Sequence, residues 1–202
     1  MNTLDAIAGR RSIRRFKPDE LDRLTIEKLL TAAIQAPSGK NRQPWHWIVL
    51  TGEGRTHLAD LIDQSCEAIR VEGGQTGSAP ASAAVIRQAP VTIMAFETEI
   101  PPDWKAFEEG ARLVDAQSIG AAIQNICLAA TDLGLGSLWI GDVLYAESAI
   151  TQWLGERGER MIAAISIGLP DESPETRSRK PLAEVVEWKD DPSWLGVRRA
   201  QG

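Results

Sequence analysis

Four arginines fall within six positions at Arg10-Arg11-Ser12-Ile13-Arg14-Arg15, just ahead of Phe16. Each guanidinium is a fixed fork of donors that matches the oxygens of a phosphate or carboxylate two at a time, and Ser12 adds a hydroxyl and a backbone N–H. The segment is a candidate anion site, with a solvated basic face paired to nearby acids as the alternative. A second basic run, Arg177-Ser178-Arg179-Lys180-Pro181-Leu182, follows Gly168-Leu169-Pro170 in an acidic, proline-punctuated tail. Taken alone, a charge run of this kind is a solvated loop.

Two further segments have types suited to a flat, polar-edged ligand. Ala36-Pro37-Ser38-Gly39-Lys40-Asn41-Arg42-Gln43-Pro44-Trp45 turns through small and amide residues, and Asn41 and Gln43 can each donate and accept, as the edge of a heterocycle requires. Pro37, Ser38 and Gly39 equally suit a plain helix end and turn. Gly134-Leu135-Gly136-Ser137-Leu138-Trp139-Ile140-Gly141 brackets an apolar strand with glycines, which let a backbone lie close to a planar group. No metal site is expected. His46 and His57 have no carboxylate or cysteine at ligand spacing, and Cys66 and Cys127 stand far apart without a CxxC, Cys127 on an apolar helical face.

In this order, RRSIRRF, APSGKNRQPWHW, GLGSLWIG and GLP with a following RSRKPL resemble the FMN-dependent nitroreductase family over almost the whole chain. The resemblance implies an α+β fold, with a central mixed or antiparallel sheet flanked by helices. It also implies an intertwined homodimer that exchanges its C-terminal arm and holds identical FMN sites at the interface. Arg10, Arg11, Ser12 and Arg14 of one subunit would contact the flavin phosphate, ribityl chain and pyrimidine edge. Pro37, Ser38, Gly39 and Asn41 would reach in from the other. Arg177 and Arg179 match the positions that close on the phosphate, with Lys180 beside them. Ile140 and Gly141 match the backbone pair beside the central ring, whose N–H can face N5.

The activity implied is transfer of hydride from NAD(P)H through flavin N5 to a small oxidised acceptor such as a nitroaromatic or quinone. No side chain is then required as a general base, and Arg14 supports the negative charge of the reduced ring. Since the sequence has no GxGxxG or P-loop, the nicotinamide would bind transiently over the flavin. The same resemblance admits a flavin enzyme dedicated to another metabolite or consuming its own flavin, and a non-catalytic flavin-binding protein. Residues 66–88 hold no counterpart of the amide and basic residue that better-known members place near the pyrimidine.

These segments need a scaffold, and 202 residues with 43% hydrophobic and 25% charged content suffice for one domain with a real core. The domain is expected to span 1–202, with an arm from about 170 to 202 wrapping the partner. A net charge of −6 excludes general attraction to nucleic acid or anionic membranes, so any anion site must be local. No apolar run of membrane-spanning length and no secretory signal are apparent, which implies a cytoplasmic protein. The seven tryptophans are scattered, as expected of core or dimer-interface residues.

Periodicity supplies the elements. Thr3–Gly9 is a short amphipathic segment, and Thr25 is expected to cap a helix running to about Ala36. Strands are expected at Pro44–Thr51, at the nearly all-apolar Pro90–Glu97, at SLWIG and at Met161–Ile167. Helices are expected at Arg55–Ile69, Arg112–Leu133 and Ala146–Leu154, and the small-residue stretch 73–84 reads as a mobile loop or lid. The tail is too poor in apolar residues for a core of its own, and Pro181–Trp188 is left as an edge strand or partner arm.

Overall fold

The computed structural model describes residues 1–155 and 158–189; Trp194 and the remainder of the expected arm lie outside the described residues. Helix α1 (Thr3–Gly9) is capped by Asn2, whose side chain accepts the Asp5 N–H at 2.9 Å. Helix α2 (Arg23–Ala33) is capped by Asp22 rather than Thr25: the Asp22 carboxylate accepts the Thr25 N–H at 2.6 Å, and that bond lowers its pKa. A carboxylate at a helix start satisfies an orphan N–H and meets the positive end of the helix dipole, so Asp wins the position. The helix also stops at Ala33, short of the expected Ala36.

A 3-10 turn (Gly39–Asn41) leads into β1 (Trp45–Leu50), followed by α3 (Gly52–Val71) and α4 (Ala79–Gln88). Helix α4 corrects the second half of the expected loop at 73–84; residues 73–78 are turns and irregular backbone as expected. Its small residues are mostly alanines, the best helix formers, with Pro80 in the first turn where its missing N–H costs nothing. Ala79, Ala83, Val85 and Ile86 are buried, so the segment is part of the core.

The chain continues through β2 (Val91–Glu97), a 3-10 segment (Pro102–Phe107), α5 (Glu108–Asp132) and β3 (Gly136–Ile140). A 3-10 turn (Asp142–Ala146), α6 (Glu147–Leu154), β4 (Arg160–Gly168) and the four-residue α7 (Leu182–Val185) complete it. The tail piece 181–188 therefore forms a short helix here, not an edge strand.

The four strands pair antiparallel in the order β1-β2-β4-β3, which narrows the expected mixed or antiparallel sheet to the latter. Strand β2 is buried along its whole length because both its faces are covered. Val91, Ile93 and Ala95 face one core with Ala163, Ile165 and Ile167, under Ile26 and Leu29 of α2 and Ile119, Ile123 and Ile126 of α5. Met94 and Phe96 face the other, with Leu58 and Ile62 of α3, Ile86 of α4 and Ile150 of α6. The result is three layers.

The helical run Pro102–Asp132 is long and apolar enough to cross a membrane by length and composition, contrary to the sequence expectation. Its apolar residues instead cover the sheet: Ile119, Ile123 and Ile126 are fully buried inside the fold. Trp45 and Trp47 pack half-buried against one core and Trp153 against the other, while Trp104 is half-buried and Trp139 and Trp188 are exposed on the single chain.

Candidate functional site

The N-terminal arginines are placed by two isolated backbone bridges. Ser12 runs parallel to Ser137 at the start of β3, with the Ile13 N–H donating to the Ser137 carbonyl at 3.0 Å, and Phe16 pairs antiparallel with Pro170. Gly136 permits this approach, since a Cβ there would lie 2.8–2.9 Å from Ile13. Gly136→Ala is expected to cost about 1–3 kcal/mol through overpacking, read as a lower urea midpoint at unchanged slope.

Beyond Leu169 the tail doubles back over the same segment. The Asp171 N–H donates to the Arg15 carbonyl at 2.9 Å, and the Glu172 carboxylate accepts the Arg14 N–H at 2.5 Å and pairs with Arg15 at 3.4 Å. Arg11 donates to Thr176 Oγ1. The two ends of the chain thereby enclose a cavity of about 120 Å³ lined by Arg10, Arg11, Ser12, Arg14, Glu175, Thr176, Arg177 and Arg179 among others. Ligand pockets for whole organic molecules run to roughly 300–1,000 Å³, so this one suits an anionic group at the end of a larger molecule.

The electrostatics of the pocket are unusual for an acidic chain. Arg15, Arg23, Arg42, Arg70, Arg87, Arg112 and Arg160 each have a carboxylate at salt-bridge distance. Among the described residues, Arg10, Arg11, Arg14, Arg177 and Arg179 have none. Five guanidinium groups that line one cavity with no salt-bridge partner among the described residues repel one another, and an anion placed among them would relieve that repulsion. Glu175 is the single carboxylate on the lining.

The other expected site residues lie elsewhere. Along β3, Ile140 is three residues from Ser137, roughly 10 Å at a rise of about 3.3 Å per residue. Ile140 is buried and Gly141 exposed, and a Cβ on Gly141 would meet nothing within 4 Å, so the chain itself gives no steric reason for a glycine there. Pro37 and Asn41 are exposed, and Ser38 and Gly39 half-buried, on a turn that packs against the first half of α5. Gly39 abuts Val114, whereas Gly9, beside the arginine run, abuts Thr131. Positions 114 and 131 of one helix are separated by roughly 25 Å at a rise of about 1.5 Å per residue. One chain brings Arg10–Arg14 together with Arg177 and Arg179, but keeps Pro37–Asn41 away from them. Lys180 is exposed and does not line the cavity.

Several polar contacts near these segments have no counterpart in the sequence reading. Ser78 and Ser82 at the start of α4 both donate to Asp142 Oδ2, at 2.7 and 2.6 Å, next to Gly141. Arg42 reaches Asp115 of α5 at 2.8 Å, and Glu97 at the end of β2 pairs with Arg112 at 3.1 Å and Arg160 at 3.5 Å. Both carboxylates are fully buried, and burial pushes each above the ordinary carboxylate range despite these arginines. The signal available was a lone charge at a buried position: Glu97 closes an apolar strand, and Asp115 stands one turn before Ile119. His46 is paired with Glu159 at 2.8 Å, and no metal-binding cluster occurs among the described residues. Cys127 is buried, which pushes its thiol pKa up.

Fold and pocket together define a three-layer α+β protein with an arginine-lined cavity formed by residues 10–14 and 174–179. The chain belongs to the nitroreductase family, whose model matches residues 7–169. A candidate NADH dehydrogenase/NAD(P)H nitroreductase of Methanothermobacter thermautotrophicus is 31% identical, with 88% of this chain and 82% of the relative covered. The nitroreductase-like family protein of Bacillus cereus is 28% identical with a TM-score of 0.77, over 95% of this chain and 97% of that one. A candidate nitroreductase of Desulfovibrio desulfuricans, solved in complex with FMN, is 28% identical with a TM-score of 0.73, over 95% and 99%.

Proposed function

We propose that the chain is an FMN-dependent oxidoreductase acting as a homodimer. The flavin phosphate would lie among Arg10, Arg11, Ser12, Arg177 and Arg179 of one copy, with Arg14 directed toward the pyrimidine edge, and Pro37, Ser38, Gly39 and Asn41 would come from the other. The observation that carries this reading is the convergence on a cavity of about 120 Å³, in a chain of net charge −6, of five arginines with no salt bridge among the described residues. The FMN complex of the Desulfovibrio desulfuricans relative supports it. The separation of the 37–41 turn from the arginines along α5 favours a site shared between copies. Exposed Leu4 and Ile7 on α1 and Leu182, Val185 and Trp188 on the tail provide apolar surface for that contact.

The chemistry FMN supplies when bound is acceptance of hydride from NAD(P)H at N5 and its delivery to an oxidised acceptor such as a nitroaromatic or quinone. The protein's residues bind and orient. Arg10, Arg11, Arg177 and Arg179 would neutralise the phosphate, while Arg14 would serve the pyrimidine edge, where negative charge develops. Ile140 and Gly141 would lie beside the central ring, and the absence of a side chain on Gly141 would keep that backbone open to it. An apolar hollow lined by Gly39, Lys40, Trp104, Phe107 and Val114 adjoins the turn and offers a flat acceptor a place to stack.

The purified protein is expected to be yellow and to release FMN, not FAD, on denaturation, because the extra nucleotide would have to occupy the space closed by Arg177 and Arg179. Chromatography of the released flavin and bleaching by NADH or NADPH check this. FAD as the main flavin, or an apoprotein that FMN cannot reconstitute, defeats the reading. A flavin that NAD(P)H never bleaches assigns the chain a non-catalytic role, and a panel of acceptors separates a general reductase from an enzyme dedicated to one metabolite.

A further inference from the structure

The turn from Ser38 to Gln43 carries the least favourable backbone in the described chain. Lys40, Asn41 and Gln43 all have positive φ, at 51°, 56° and 53°, and are the non-glycine residues that do so among those described. Side chains with a Cβ are disfavoured there, and such conformations persist only where the surroundings impose them.

What imposes them lies directly beneath. Arg42, at an ordinary φ of −66°, turns inward with its side chain 10% exposed. Its Nη1 stands 2.8 Å from Asp115 Oδ2, and its Nη2 donates to the carbonyls of Thr98 at 3.3 Å and Glu99 at 2.5 Å. One residue before Asp115, Val114 is packed so closely on Gly39 that an added Cβ would lie 2.7 Å from it. Ser38 Oγ accepts the Gln43 N–H at 2.9 Å and closes the turn. The turn is thus fastened to α5 and to the segment after β2.

This fastening is a poor way to stabilise a fold. Arg42 Nε and Nη1 and both oxygens of Asp115 lack an aligned hydrogen bond among the described residues, although the charges are in contact. A buried pair with unsatisfied atoms adds little net stability, and apolar residues of similar volume often replace it without loss. What apolar residues cannot replace is the fork that spans a carboxylate and two carbonyls at once.

We propose that Arg42 and Asp115 are positioning residues that hold Lys40, Asn41 and Gln43 in their left-handed backbone, so that Pro37–Asn41 is presented to the flavin of a partner copy. The proposal rests on the FMN reading above.

Two readouts test it, one independent of flavin. The first is the rate at which a lysine-specific protease cuts after exposed Lys40 in the apoprotein, mapped by mass spectrometry, and the second is the dissociation constant for FMN. Asp115→Leu alone leaves Arg42 unpaired and is expected to lower the melting temperature. The double variant Arg42→Met/Asp115→Leu is expected to regain most of that temperature, yet to be cut after Lys40 about tenfold faster and to bind FMN about tenfold more weakly. A double variant with wild-type cleavage and wild-type FMN affinity overturns the proposal, and so does either change without the other where the wild type binds FMN. If the double variant does not fold, Arg42→Lys, which keeps the charge but loses the fork, is expected to show both changes, and wild-type behaviour in it is equally fatal. A wild type that takes up no FMN defeats the cofactor reading alone, and the cleavage rates still decide whether the pair holds the turn.

Discussion

Truncation after Leu169 is expected to abolish tight FMN binding and to disrupt the dimer. The cut removes Pro170, which pairs with Phe16, and the Asp171 N–H that ties down the Arg15 carbonyl. It also removes Glu172, which fixes the Arg14 N–H, and Thr176, which receives Arg11. Arg177 and Arg179 go with them, and each charge-assisted contact to a phosphate contributes about 1.5–3 kcal/mol. Two such losses weaken binding by roughly 10²–10⁴-fold before any loosening of residues 10–16 is counted. Fluorescence titration with FMN measures the first effect and light scattering the second. A truncated protein that binds FMN within about tenfold of the full chain removes the tail from the site. Loss of flavin from an intact dimer would confine the tail to its own subunit, which is where residues 170–179 pack in this structure, and would dispose of arm exchange.

Arg10→Ala and Arg14→Ala are expected to part company in redox potential even though both residues line one cavity. The phosphate carries the same charge in both redox states, so the Arg10 variant should bind oxidised and reduced FMN more weakly by similar factors, with an unchanged midpoint. Negative charge at the pyrimidine edge appears only on reduction, so the Arg14 variant should lose reduced FMN preferentially. Each tenfold preference lowers a two-electron midpoint by about 30 mV, and flavin reduction by NAD(P)H should slow even at saturation. Spectroelectrochemical titration of the two FMN-loaded variants decides the matter. Equal shifts, or a larger one for Arg10→Ala, would mean that the two roles are wrongly assigned.

The parts of this molecule that announced themselves in the sequence are those set by short-range physics. A nearly all-apolar run at 91–97, rich in β-branched residues and too short for a helix of the core, reads as a strand covered on both sides, and the spacing of Ile119, Ile123 and Ile126 fixes the face of α5 that covers it. The density of guanidinium groups at 10–15 marked a candidate anion site in an acidic chain, whereas the run at 177–180 read by itself as a solvated loop and gained a role only through the family resemblance. That both runs line one cavity depended on a bridge between Phe16 and Pro170, which no local pattern encodes. The stretch 79–84 misled because small residues suit a loop and an alanine-rich helix equally, and burial of Ala79 and Ala83 under neighbouring elements settled it. The Arg42–Asp115 pair was invisible for a related reason: a charge reads as surface until the fold places a counter-charge beside it.

The bridges from residues 12–16 to Ser137 and Pro170 also order events in time. Residues 10–14 leave the ribosome early, yet the residues that face them across the cavity, 174–179, are made late, and closing so long a loop is entropically costly until the intervening sheet has formed. The cavity therefore closes late, after the sheet that carries β3 and β4. A nascent chain has no complete arginine-lined cavity until residue 179 has emerged.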